Sequence, residues 1–156
     1  MTEIAVERMK QLLGHMGVVG EVVGREESDH VLLEISGPET GLIIGKQGAT
    51  LDALQYLINK MLAPRGAEPR DRKPIYVDAE GYRQRRADSL TELALRLAEK
   101  ARQTRRPVSV EPMNPADRRV MHVALAEAAG VSTHSEGEGP ERHLVIVPDP
   151  DPPASG

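Results

Sequence analysis

The sequence predicts an α+β (mixed α/β) protein built as two small domains. Three observations predict it. Apolar periodicity switches several times between helical and alternating patterns within 156 residues. The periodic segments fall into two groups that meet near residue 80 with almost no linker, and no internal repeat relates them. Apolar residues make up 39% of the chain, with three Tyr and neither Phe nor Trp, so two compact aliphatic cores fit better than one large one.

Residues 3–16 read as a helix, with Ile4, Met9, Leu12, Leu13 and Met16 at helical spacing and Thr2 placed to cap its start. Val18-Val19 and Val22-Val23 open a β-branched strand, and Val31, Leu33 and Ile35 alternate in a second strand over 30–36. Glu26-Glu27-Ser28-Asp29 is the expected hairpin turn between them. Gly37-Pro38 ends the second strand and a short helix follows. After Gly45-Lys46-Gln47-Gly48 comes a better helix over 49–62, with Leu51, Leu54, Ile58 and Met61 or Leu62 on one face. A basic, breaker-rich loop from Pro64 to Pro74 leads to a third strand at Ile75 and Val77. The order is helix, strand, strand, helix, helix, strand.

The second half opens on a long helix, roughly 80–104, striped by Leu90, Leu93 or Ala94, Leu97 and Ala101. A short strand is expected at 108–112. Asn114-Pro115-Ala116-Asp117 is a strong helix start, with Asn at the cap and Pro in the first turn. That helix is expected to run to about Ala129 and stop at Gly130, with Val123, Ala126 and the neighbouring Ala124 and Leu125 on its buried side. Ser132–Glu136 and Arg142–Val147 read as a hairpin. The domains are therefore set at 1–79 and 80–148, and the Pro/Asp-rich end, 149–156, as a disordered tail.

Composition removes several function classes. The absence of Cys excludes disulfides, thiol catalysis and cysteine-ligated zinc. No apolar run reaches the length of a membrane span, so a cytoplasmic protein without stable membrane insertion is expected. Net charge is −4, but Lys60–Arg106 carries 13 Lys/Arg against 7 Asp/Glu, while the remainder carries 7 against 17. A local excess of +6 can guide a polyanion despite the negative total.

The Gly45-Lys46-Gln47-Gly48 turn carries the main functional signal. Two glycines let main chain approach a sugar-phosphate closely, Lys46 adds charge, and a helix amino end follows. Ile44 and Leu54 are expected to floor a groove for bases, because aromatic stacking platforms are scarce. The turn is not a Walker loop: only three residues separate Gly41 from Gly45, and Gln47 stands where Ser or Thr would reach magnesium. A second candidate surface is Arg118 and His122, four apart on one helix face, with Arg119 beside them. No catalytic set is found. His134 and Glu136 are separated from His143 by a hairpin loop and do not read as a metal set, and Asp78 on a strand with Glu80 near a helix start does not read as a pair of acids, so no catalytic residue, metal or cofactor is expected.

Gly41-Leu42-Ile43-Ile44-Gly45-Lys46-Gln47-Gly48 with Leu51, Leu54 and Gln55-Tyr56, followed by Asn114-Pro115, Arg118-Arg119-Val120-Met121-His122 and Thr133–Gly139, resembles the bacterial Jag (KhpB, SpoIIIJ-associated) family over nearly the whole chain. The resemblance implies a type II KH domain, then an Arg-x-x-x-His (R-three-H) domain with a small mixed sheet packed against helices. It also implies binding of single-stranded RNA, with single-stranded DNA as the alternative ligand, and roles in post-transcriptional control, cell elongation and division. Some members associate with a small single-KH protein. Many relatives begin with a further small domain, and this sequence begins almost at the KH helix, so targeting that needs that domain is not expected. The function expected is a non-catalytic RNA-binding regulator. A protein adaptor docking another KH protein is the second reading, and a small nuclease using His122 the third.

Overall fold

In the computed structural model, which describes residues 1–151, the chain forms two compact units, Met1–Arg83 and a second from Gln84 onward. The first unit runs α1 (Thr2–His15), β1 (Glu21–Glu26), β2 (Val31–Ser36), α2 (Thr40–Ile44), a 3-10 turn (Lys46–Gly48), α3 (Ala49–Met61) and β3 (Ile75–Ala79). β1 and β2 pair antiparallel through the expected tight turn, closed by the Glu27 amide on the His30 carbonyl. β2 and β3 pair parallel, which requires the crossover that α2 and α3 supply. Val31, Leu33 and Ile35 alternate inward on β2 and meet Met9, Leu51, Ile58 and Val77, all at most 1% exposed. Thr2 does not cap α1; Met1 holds the cap position, and the Thr2 hydroxyl donates instead to Glu26.

Side chains close the outer edge of β3. Asn59 Oδ1 accepts from the Ile75 amide at 2.9 Å while its Nδ2 donates to the Ile75 carbonyl at 2.6 Å. Gln55 Oε1 accepts from the Val77 amide at 2.9 Å, and Arg83 Nε donates to the Val77 carbonyl at 2.8 Å. The backbone groups that a further strand would satisfy are thus satisfied from α3 and the start of the next helix. Replacing Asn59 with alanine is expected to leave both Ile75 groups unpaired and to destabilise the first unit by about 2 kcal/mol, read by urea unfolding.

The second unit contains most of α4 (Tyr82–Thr104), then β4 (Val108–Ser109), α5 (Pro115–Leu125), β5 (Val131–Glu136) and β6 (His143–Pro148). Its sheet has the order β4-β6-β5, antiparallel throughout. Asp78 Oδ1 accepts from the Ala79 and Arg83 amides ahead of and inside the first turn of α4, a capping role rather than an acid–base one. Leu90, Ala94, Ala98 and Ala101 of α4 pack against Met121, Leu125, Leu144 and Ile146.

α5 departs from expectation in two ways. It ends at Leu125 rather than Ala129, because the Ala126 and Ala128 amides bond three residues back and tighten the chain. Its buried stripe is Asp117, Met121 and Leu125, so Val123, expected inside, is 62% exposed. The Asp149 amide donates to the Gly130 carbonyl at 2.8 Å, and Asp151 pairs with Arg105 at 2.6 Å. The rest of the expected tail, from residue 152, lies outside the described residues.

Candidate nucleic-acid interface

The Gly-x-x-Gly turn is built from left-handed and glycine-only backbone. Gly45 ends α2 at φ 72°, ψ −173°, Gln47 follows at φ 55°, ψ 27°, and Gly48 at φ 81°, ψ 11°. The two glycine amides are already used: Gly45 donates to the Gly41 carbonyl at 3.0 Å, and Gly48 to the Gly45 carbonyl at 3.4 Å. The amides of Lys46 and Gln47 have no protein acceptor among the described residues. The glycines therefore shape the turn, and the two residues between them hold the donors available to a phosphate. Gly48 is buried, with the Tyr82 ring where a side chain would stand. Lys46 is exposed, and α3 begins directly after with no side-chain cap, so its positive dipole end lies at the turn.

Leu54, expected on the groove floor, is 2% exposed and belongs to the core with Leu51 and Ile58. Helical register explains it: positions 51, 54 and 58 share the face turned to the sheet. Ile44 is half-buried against the same core. The apolar side chain open to solvent beside the turn is Leu42, 61% exposed.

The second surface is set by the start of α5. Asn114 caps the helix by accepting from the Asp117 amide at 2.8 Å, and Pro115 supplies the first turn. Asp117 turns inward, where its Oδ2 accepts from Arg86 Nε at 3.2 Å and Nη2 at 3.1 Å. One residue on, Arg118 donates from Nε to the Met113 carbonyl at 3.1 Å, and its Nη1 lies 3.5 Å from Ser135 Oγ on β5. No carboxylate compensates this guanidinium among the described residues. His122, one turn further, meets Thr133 Oγ1 on the same strand through Nδ1.

Arg118, Arg119 and His122 line an open concavity of about 490 Å³ together with His134, Ser135 and Arg142. Its lining holds three guanidinium groups, two imidazoles and no acid, an anion-accepting composition. Sequence reasoning did not assign His134, Ser135 or Arg142 to this surface. The signal was the hairpin's period of two, which turns Thr133 and Ser135 toward α5. His134 and Glu136 bond to each other at 2.8 Å, and that hydrogen bond lowers the Glu136 carboxyl from its ordinary range. Among the described residues no three His, Asp or Glu are placed to hold a metal.

Part of the basic excess read from Lys60–Arg106 is internal. Arg83 bonds Asp52, Gln55 and Val77, Arg86 bonds Asp117, Arg72 donates to the Asn59 carbonyl, and Lys73 pairs with Glu26. The charge available at the two surfaces comes from Lys46, Arg118, Arg119 and Arg142.

A helix–strand–strand–helix–helix–strand unit with a Gly-x-x-Gly turn, followed by a unit carrying Arg-x-x-x-His on one helix face, defines a two-domain α+β chain of KH and R-three-H type. Residues 3–70 match the family described as KhpA/KhpB, KH domain, and residues 88–148 match the R-three-H domain. The chain belongs to the Jag/KhpB family. It is 38% identical to RNA-binding protein KhpB of Clostridium symbiosum over 91% of this chain and 64% of that protein. It is 38% identical to RNA-binding protein KhpB of Bacillus subtilis over 81% of this chain and 60% of that protein. The match to RNA-binding protein KhpB of Lactiplantibacillus plantarum is 32% over 85% and 40%. The chain thus spans less than two thirds of these relatives. Among the described residues no helix is long and apolar enough to cross a membrane.

Proposed function

We propose that the chain is a non-catalytic, cytoplasmic protein that binds single-stranded RNA and acts as a post-transcriptional regulator linked to cell elongation or division. The observation that carries RNA binding is the acid-free concavity around Arg118, Arg119, His122 and Arg142 in a chain of net charge −4. The Lys46 and Gln47 amides, beside an exposed Lys46 and the α3 amino end, add a second phosphate site. The relatives' printed names agree with this ligand. The regulatory role rests on the family resemblance. Two modest sites tethered in one chain gain avidity when one strand reaches both.

The test is fluorescence anisotropy with a labelled single-stranded oligoribonucleotide, with unlabelled single-stranded DNA as competitor. Affinity is expected to fall with salt, each phosphate contact contributing a slope of about 0.7. Replacing both Lys46 and Gln47 with Asp is expected to weaken binding about tenfold or more at 0.1 M salt without unfolding the chain. Unchanged affinity in the folded double variant would remove the turn from the site.

A second reading, an adaptor that docks another KH protein with RNA binding secondary, is favoured by the exposed apolar side chains Leu42, Tyr56, Leu57 and Met61 of the first unit. A partner retained after nuclease treatment supports it, and one released by nuclease does not.

A further inference from the structure

The three-stranded sheet of the first unit has unequal edges. Asn59, Gln55 and Arg83 occupy the β3 edge, as described above. Among the described residues the β1 edge has no such cover. Because Glu27 donates to His30, the bonded pairs of the β1–β2 ladder are Arg25 with Leu32, Val23 with Glu34, and Glu21 with Ser36. Strand alternation then turns the backbone groups of Val22, Gly24 and Glu26 outward, and their amides have no protein acceptor among the described residues. On the sheet face away from α1, β1 presents Glu21, Val23 and Arg25, with Val23 52% exposed.

We propose that this chain pairs with a second copy of itself, β1 to β1 and antiparallel, about a twofold axis at Val23. The order Glu21-Val22-Val23-Gly24-Arg25 is self-complementary in that register alone. It sets Val22 opposite Gly24 of the second copy, so the outward backbone groups meet. It sets Val23 on Val23 at the axis, and Glu21 opposite Arg25 on both sides of it. Shifting the axis one residue either way sets Val23 opposite Arg25 or Glu21 and loses both ion pairs. Arg25 already sits within 3.3 Å of Glu34 in an exposed pair, so it stays on the face where the facing Glu21 arrives. Unpaired edge strands attract further strands, and charges placed along them decide which partner fits. One strand pair buries less than the roughly 1,200 Å² at which standard-size interfaces begin, so the dimer is reversible and concentration-dependent.

Two experiments on the full, nuclease-treated chain test this. The chain has no cysteine, so Val23→Cys introduces a single thiol. At a non-hydrogen-bonded antiparallel pair the Cα atoms stand about 4.5 Å apart, within disulfide reach. Mild oxidation is expected to give covalent dimer at least tenfold faster than for Val123→Cys, a somewhat more exposed control on α5. Sedimentation equilibrium of the parent chain up to about 0.5 mM is expected to show dimer, weakened about fivefold by Glu21→Arg or Arg25→Glu alone and restored when both are made together. Cross-linking no faster than the control overturns the proposal. So does a parent chain that stays monomeric, a dimer indifferent to both single reversals, or a double reversal as weak as either. A heterologous protein captured on this edge while the chain itself stays monomeric would assign the surface to a different partner and also overturn it.

Discussion

Gly45→Ala is expected to destabilise the first unit by about 3 kcal/mol and to weaken RNA binding with no change in charge. Gly45 sits at φ 72°, ψ −173°, a region that side chains other than glycine's enter at a cost of about 1–3 kcal/mol. A Cβ there also overlaps the Thr50 hydroxyl and stands 2.8 Å from Thr50 Cβ, on a helix that is part of the core. Relief requires the chain to rotate out of that conformation, and rotation re-aims the amides of Lys46 and Gln47, the two donors the turn still offers. Gly41→Ala is the matched control. Gly41 lies inside α2, nothing stands within 4 Å of the added carbon, and alanine there is expected to be neutral or to stabilise by about 0.5 kcal/mol. Urea unfolding of both variants, with anisotropy against the same oligoribonucleotide, separates the two effects. Equal stability for Gly45→Ala and the parent chain would mean that the turn relaxes freely and that glycine is not required.

Hydropathy alone carries the fold a long way. The 2.0-period run Val31, Leu33, Ile35 and the cap sequence Asn114-Pro115-Ala116-Asp117 locate β2 and the start of α5 without tertiary information. It fails where a polar residue takes a core position. Asp117 is 7% exposed because Arg86 pairs with it, and this fixes the α5 stripe at positions 117, 121 and 125. A reader of apolar residues has no reason to count an aspartate as inward, and so rotates the helix and buries Val123. Leu54 fails for a different reason: it shares the apolar stripe of α3 with Leu51 and Ile58, so the same register that makes the helix legible commits Leu54 to the core and leaves none of it for a groove floor. Gln55 and Asn59 read as ordinary helix-surface amides, yet they complete a strand edge 22 and 16 residues away, respectively. The glycines were legible as a sharp turn, while the use of their own amides inside it follows from dihedral angles that no spacing reports.

Asp117→Ala carries the other large expected effect, and it bears on function without touching ligand. Removing the carboxylate leaves the Arg86 guanidinium in a mostly buried place with no anion, because the Asp117 side chain is 11% exposed and that of Arg86 25%. Breaking such a pair from one side costs about 2–3 kcal/mol here, below the fully buried range because water still reaches Arg86. Asp117→Asn keeps an acceptor and is expected to cost about 1 kcal/mol, while removing both partners together recovers part of the loss. Arg118 is the next residue, held by the Met113 carbonyl and set against Ser135 only while the first turn of α5 stays in place. Loosening that turn therefore weakens RNA binding while leaving every cation present. The salt slope separates the roles: Asp117→Ala lowers affinity with the slope kept, whereas Arg118→Ala lowers it and reduces the slope by about 0.7. A slope that drops for both variants would make Asp117 an organiser of charge in the concavity. A slope kept for both would place Arg118 off the phosphate path, leaving Arg119 and Arg142 to carry the contact.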